Sequence, residues 1–281
     1  PQEQAPRIIS FVYAGFSVAS VLGTPIGTLL SDAFGIKSAF VAVEAVALLV
    51  TVLLLISVPR SGSTDVSSSV REQLVILKDR RIILVLVMKA FGMAATYVFY
   101  VYVTPILEDS VCLSVWMVSL VLFFYGGATI VSNLGSGSLA QRYGLGKLPL
   151  MFALQAVVLV LLGVSLASGN TVLCIINVVL TGVFIYHMNA PLQSYLLQVS
   201  AKDYPRALTL ASAVMPTSSD IGIATGSFMG GVVATNLGFA WSGPVGAVLA
   251  VVSVVAAFMI LQPESRMGGS LRSRLRRNRK Q

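Results

Sequence analysis

Four ionisable side chains interrupt long apolar runs: Glu44, Lys89, His187 and Asp220. In hydrocarbon a charge is costly, so such groups face a cavity, a partner or a bound proton. Counting about 1.5 Å per residue, Lys89 lies near the start of its run, shallow enough for its stem to carry the ammonium to water. Glu44 is similarly near an end. Asp220 falls too deep for that, and its carboxyl is the strongest candidate for proton exchange. His187 stands mid-run beside Tyr186 and Asn189, a setting equally suited to packing and to proton transfer. Softer polar groups accompany them. Tyr97, Tyr100 and Tyr102 share one run. Tyr125, Ser132 and Asn133 share the next, and Asn177, Asn189, Gln193 and Tyr195 share a third. Aromatic and amide groups of this kind suit a cavity for an amphipathic organic molecule, or hydrogen bonds between helices.

Elements that carry such groups through hydrocarbon must be helices of about 20 residues. The sequence predicts spans at 8–31, 38–58, 82–106, 115–139, 147–167, 171–196, 207–234 and 242–261, an all-α polytopic membrane fold. Of 281 residues, 56% are hydrophobic and only 11% charged, with a mean hydropathy of +0.87. Soluble domains carry about 25% charge, and the ~10-residue alternating segments of a membrane barrel are absent. Cys112 and Cys174 form neither a disulfide framework nor a metal-ligand spacing. No histidine–carboxylate cluster suggests an enzyme. Connections are short except the serine-rich stretch 59–81, which reads as a flexible linker.

Lysine and arginine fall almost wholly on alternate connections: Arg60 to Arg81, Arg142 and Lys147, Lys202 and Arg206, and the run Arg272–Lys280. The opposite side has only Lys37. By the positive-inside rule both termini and the linker face the cytoplasm. The net charge of +8 then belongs to inner loops and to a basic tail lying on anionic lipid, with nucleic acid not expected as a partner.

Small residues recur every four positions, at Gly15, Ala19, Gly23 and Gly27 and again at Gly222, Gly226 and Gly230. That spacing lines one helix face for close approach. Pro25, Pro191 and Pro216 lie inside spans, where each removes a backbone hydrogen bond and bends the helix.

The stretch Val12 to Gly27, with Gly15, Gly23, Pro25 and Gly27, resembles the glycine–proline antiporter motif of drug/proton antiporters of the major facilitator superfamily. Phe34 to Phe40 resembles the turn that follows it. Gly137 to Gly144, reading GSLAQRYG, resembles the second copy of the family's loop motif, with Arg142 and Gly144 in place and Gln141 where the family prefers aspartate. Ala211 to Gly226, containing Pro216 and Gly222, is similar to a late helix of arabinose-efflux-like and chloramphenicol-resistance-like exporters.

The resemblance implies that the spans correspond to helices five to twelve of a twelve-helix fold. Residues 1–58 would be the last two helices of an N-terminal bundle, 59–81 a cytoplasmic linker, 82–261 the C-terminal six-helix bundle and 262–281 a basic tail. It implies a monomer in the plasma membrane, a bacterial inner membrane, that exports a drug-, sugar- or nucleoside-like compound by alternating access. The proton gradient would supply the energy, with no cofactor. The pathway would draw on Lys89, Tyr97, Tyr100, Tyr125, Asn133, His187, Asn189, Gln193 and Asp220. Uptake by the same fold, or an inactive truncated fragment, are the alternatives.

Sidedness is directly testable. Single cysteines at Ser67 and Ser273 should both react with a membrane-impermeant maleimide in inside-out vesicles and resist it in intact cells. Labelling on opposite faces would undo the topology.

Overall fold

A computed structural model describes residues 34–57 and 73–278, together with Gly15, Ile26, Gly27 and Leu30; from residue 263 onward only the backbone is described. Gly23 and Pro25, most of the 8–31 span and most of the linker lie outside the described residues. The chain is helical with no strand among them. Helices α1 (Ile36–Ser57), α2 (Arg80–Tyr100), α3 (Val115–Tyr143), α4 (Leu148–Ser168), α5 (Thr171–Phe184), α6 (Asn189–Asp203), α7 (Leu208–Asn236) and α8 (Ser242–Asn278) follow in order. Six helical stretches among the described residues are long and apolar enough to cross a membrane, with α5 and α6 counting together as one. The 29-residue α7 is long enough but is not among those six. Its serines, threonines, glycines and Asp220 dilute its apolar character. This is an all-α polytopic membrane protein.

Local chemistry fixes the helix ends. Asp79 caps α2, its carboxylate accepting from the Arg81 amide at 2.8 Å. Asn170 caps α5 by accepting from Leu173 N at 3.1 Å. Each satisfies an amide that the first helical turn leaves orphaned. Gly144 and Gly169 end α3 and α4 at φ of 53° and 66°, a left-handed backbone that glycine adopts without penalty. Helix α8 continues to Asn278, past the predicted span end at 261. Thirty-seven residues make about 55 Å, more than the ~30 Å core needs, so the last turns extend beyond it.

Much of the outside of the α2 to α8 assembly is apolar and much of its inside polar, with the exception of α7, whose exposed positions include Thr217, Asp220 and Thr225. Phe123, Val164, Val248 and Phe258 are exposed, whereas Lys89, Asn133, Gln155 and Asn189 are buried. Hydrocarbon gives no hydrophobic reward for hiding leucine, so close packing and hydrogen bonds hold the helices together. The glycine stripe of α7 does the first. A Cβ on Gly222, Gly226 or Gly230 would collide with the carbonyl oxygens of Ala90, Ala94 and Val98 respectively. The two series rise together, so α2 and α7 run parallel with matched four-residue ridges. Helix α8 crosses antiparallel on another face of α2, with Gly246 against the Ala95 carbonyl and Ser253 donating to Met88 O at 3.2 Å. Gly15 and Gly27 meet nothing within 4 Å among the described residues. Helix α1, apolar apart from a few positions that include Lys37 and Glu44, buries no residue.

The expectation of a proline break in the sixth span is met at a shifted position. The helix opens over Ile185–Met188, between α5 and α6. Pro191 sits in the first turn of α6, where a missing N–H costs little. Its ring cannot coexist with a helical carbonyl four residues earlier, at His187, and the opening lies there. Pro216 lies inside α7, which continues unbroken across it.

The α2, α3–α4 and α6–α7 ends that carry Lys78, Arg80, Arg81, Arg142, Lys147, Lys202 and Arg206 gather at one end of the assembly, whereas Glu108 and Asp109 lie at the other. At the basic end Arg81 Nη2 bridges Asp79 (2.7 Å) and Asp203 (2.6 Å), and the Tyr204 hydroxyl donates to Asp79 at 3.2 Å. This clasp ties the start of α2 to the end of α6. The hydrogen bond from Arg81 holds the Asp79 carboxyl below its ordinary 3.8.

Two predictions follow from this packing. Gly222→Ala should lower the thermal midpoint in detergent by the ~1–3 kcal/mol of an overpacked contact, a shift of several degrees. Gly127→Ala, at a glycine with open space around it, should leave the midpoint unchanged or raise it slightly. Equal midpoints for the two variants would refute the close approach. For the clasp, a lowered carboxyl pKa contributes stability above the unfolded value and loses it as pH falls through the folded one. Asp79→Asn keeps the capping oxygen but removes the charge. Its midpoint should sit below wild type at pH 7 by up to ~1 kcal/mol, given the half-exposed Arg81. The gap should close as pH drops below 3.8.

Candidate functional site

The break between α5 and α6 exposes backbone groups inside the membrane, and neighbouring side chains satisfy them. The Tyr186 amide donates to Ser132 Oγ on α3 at 3.0 Å. His187 Nδ1 meets the Phe184 carbonyl at 2.5 Å. A carbonyl only accepts, so Nδ1 carries the proton and the lone pair of a neutral ring is left on Nε2. Nε2 is buried and has no hydrogen-bond partner. The ring stands edge-on to Phe152 of α4, with centroids 4.9 Å apart.

Beside the break runs a buried polar chain through three helices. Lys89 Nζ on α2 donates to Asn189 Oδ1 at the start of α6. Asn189 Nδ2 in turn donates to Asn133 Oδ1 on α3 at 2.7 Å. Lys89 is 1% exposed. The expected snorkelling is therefore wrong: its ammonium points into the bundle, because an amide carbonyl there replaces water as its partner. Lys89 also lies within electrostatic reach of His187 and of Asp220.

A tyrosine cluster adjoins this chain. The Tyr97 and Tyr100 rings are 5.4 Å apart edge to face, and Tyr100 stacks on Tyr125 at 5.0 Å. Tyr186 hydrogen-bonds Tyr97. The hydroxyl of Tyr125, Gln193 Oε1 and Ser194 Oγ are buried without partners, so the region holds polar atoms in reserve. Asp220 is exposed on α7, on the outer surface of the α2 to α8 assembly and still within electrostatic reach of Lys89 and Tyr97.

The structure thus brings together Lys89, Asn133, His187 and Asn189, and, next to them, Tyr97, Tyr100 and Tyr125. Gln193 follows one turn into α6. The named residues come from α2, α3, the α5–α6 break, α6 and α7, and none from α4 or α8. Glu44 lies on α1, which buries no residue. Gly137 is buried on α3, and Arg142 and Gly144 occupy the basic end of that helix. Among the described residues Arg142 makes no salt bridge.

One residue and two partnerships escaped the sequence reading. Gln155 of α4 donates to the Gly92 carbonyl and to Thr96 Oγ1, each at 2.9 Å. It is the lone amide of its apolar span, and that isolation is a readable signal. Ser132 as the substitute partner of a broken helix carries no such signal. Nor does the Arg81–Asp203 pair, 122 residues apart in sequence.

A model of the Major Facilitator Superfamily matches residues 1–207. Among curated proteins, the chain is 29% identical over 256 residues to the uncharacterized MFS-type transporter YtbD of Bacillus subtilis (strain 168), covering 91% of this chain and 64% of that protein. It is 25% identical over 268 residues to the inner membrane transport protein YdhP of Escherichia coli (strain K12), covering 94% and 67%. The chain spans about two thirds of the length of these relatives. A family match over residues 1–207, joined to an all-helical membrane fold, establishes that the chain belongs to the major facilitator superfamily.

Proposed function

We propose that the protein is a secondary active transporter that exports a small organic compound across the plasma membrane by alternating access, in exchange for protons. The observation that supports this most is the segregation of polar groups. Lys89, the tyrosine cluster, Asn133, His187, Asn189 and Asp220 come from α2, α3, the α5–α6 region and α7. A lipid-facing scaffold has no use for a carboxylate on one long helix and a buried amine on its neighbour. The basic end would face the cytoplasm, and the basic tail would rest on anionic lipid. The names of the relatives, an MFS-type transporter and an inner membrane transport protein, agree with transport in such a membrane.

Coupling requires a group whose proton changes the cost of one conformation. Asp220 is suited to it: the carboxylate is exposed on α7 and close enough to influence the Lys89 amine electrostatically. An outward-leading compound and an inward-leading proton could occupy that surface in turn. Drug-, sugar- and nucleoside-like molecules all match the mixture of aromatic rings and amides on α2, α3 and α6.

The test uses inside-out vesicles from cells expressing the full chain, energised with lactate and loaded with acridine orange. Chloramphenicol, arabinose or uridine should release the fluorescence quench for at least one compound as protons leave. Asp220→Asn should reduce that release about tenfold or more, the scale of a 1–3 kcal/mol coupling free energy, while leaving compound exchange intact. No response to any of the three, with no counterflow of labelled compound, would sink the reading.

A further inference from the structure

The chain has a single histidine, and the structure places it in the opening between α5 and α6. Its bond to the Phe184 carbonyl accounts for Nδ1. That bond gives no reason for Nε2, which keeps its lone pair and is buried without a hydrogen-bond partner, a state that costs free energy in a passive ring. The ring stands edge-on to Phe152 of α4. Phe152 and Met188 together fill the space that a Cβ on Gly92 of α2 would need. Gly92 is three residues from Lys89, nearly one helical turn. Lys89 in turn donates to Asn189, two residues after His187. Imidazole and ammonium are thus gathered around one turn of α2, within electrostatic reach of each other. Around the break the other titratable groups are Tyr97 and Tyr100 on α2, Tyr125 on α3, Cys174 on α5, the adjoining Tyr186 and Asp220 on α7. Helix α4 has none, and those of α6 begin about two turns on, at Tyr195. Phenols and thiol are neutral near pH 7, which leaves Lys89 and the exposed Asp220 as the charges that act on the ring.

We propose that Nε2 of His187 is a proton-binding site gated by the charge on Lys89: the imidazole takes up a proton when the ammonium is neutralised or drawn away, and stays neutral while the ammonium is beside it. The inference rests on the proton-coupled reading for its use and on these contacts for its existence. Two like charges in one low-dielectric interior repel strongly, so the two bases titrate as a pair that carries one charge at a time. The step is a proton transfer. Nε2 gains an N–H, the donor, water or Lys89 itself, loses one, and Nδ1 keeps its bond to Phe184. A neutral Lys89 amine still has N–H groups for Asn189, so the polar chain to Asn133 survives the change. An exposed carboxylate such as Asp220 exchanges its proton with whatever it faces. A buried imidazole does so only when the charge beside it changes, which ties its proton to the arrangement of the surrounding helices.

The experiment reads the imidazole directly. The full chain, purified on a tag without histidine and carrying isotope-labelled histidine nitrogens, is reconstituted without substrate in phosphatidylethanolamine–phosphatidylglycerol liposomes. With one histidine in the chain, solid-state NMR then shows one imidazole, and bare and protonated ring nitrogens resonate far apart. Wild type at about pH 7 should show a protonated Nδ1 and a bare Nε2. Lys89→Met and Lys89→Gln both remove the charge, and the glutamine keeps an N–H for Asn189. Each should raise the ratio of imidazolium to imidazole, at a fixed pH between about 5 and 7, by about tenfold or more, the effect of losing a nearby like charge. Lys89→Arg keeps a permanent charge and should hold the ratio at the wild-type value. A bare Nδ1 in wild type, no imidazolium in the neutral variants down to about pH 5, or a raised ratio in Lys89→Arg overturns the proposal. So does a wild-type ratio in Lys89→Gln, because the donor and not the charge would then be the gate. If Lys89→Met does not fold, Lys89→Gln decides alone. No compound enters these spectra. Gated protonation in a chain that releases no protons in the vesicle assay would retire the transport reading and keep the site. Compound–proton exchange with an imidazole indifferent to Lys89 would do the reverse.

Discussion

The bilayer core offers no water to a stranded amide or amine, and the architecture of this chain follows from that shortage. Departures from plain helix find partners in side chains nearby. The open turn at Ile185–Met188 persists because Ser132 and His187 take the places of lost helical partners. Lys89 stays buried because Asn189 accepts from it and passes the orientation on to Asn133. These bonds stabilise the bundle chiefly because the unpaired alternative is so unfavourable in a low-dielectric interior.

Glycine does for shape what these amides do for polarity. The stripe on α7 lets two backbones approach so closely that a methyl group would strike a carbonyl. The same device recurs where Gly163 meets Pro244 and where Gly243 meets the Leu159 carbonyl, joining α4 to α8. Helices packed through smooth, small residues can slide or tilt without unlocking large knobs. Polar fastenings are by contrast discrete, made or broken. The α5–α6 span combines both kinds, with a glycine contact on the α5 side and hydrogen-bond fastenings on the α6 side.

The ends of the assembly differ in charge as sharply as its interior differs from its surface. Basic residues crowd one end, and within that crowd Asp79 and Asp203 hold Arg81 between them. The clasp is half-exposed, so its worth lies more in register than in energy: it sets where α6 begins its return toward the break.

Among the described residues the order of the spans was legible in the sequence, because a ~20-residue apolar run has few fates and charges at its ends mark its limits; that the sixth span is two helices was not. The stripe Gly222, Gly226 and Gly230 announced a packing face for the same reason of period. The residues of the polar chain were legible one by one, since any amine or amide at membrane depth stands out. What the sequence left open was whom each would meet. Lys89 read as a pathway candidate whose stem could also snorkel, because depth along one helix was the only coordinate available. Its partner Asn189 lies 100 residues away, brought near by helices folding back on one another. Pro191 marked a break, but where the chain opened depended on which carbonyl its ring displaced and which neighbours could replace the lost bonds. Local chemistry and period therefore determined the elements. Only tertiary structure decided the pairings, because in hydrocarbon a polar group is defined by its partner across the bundle.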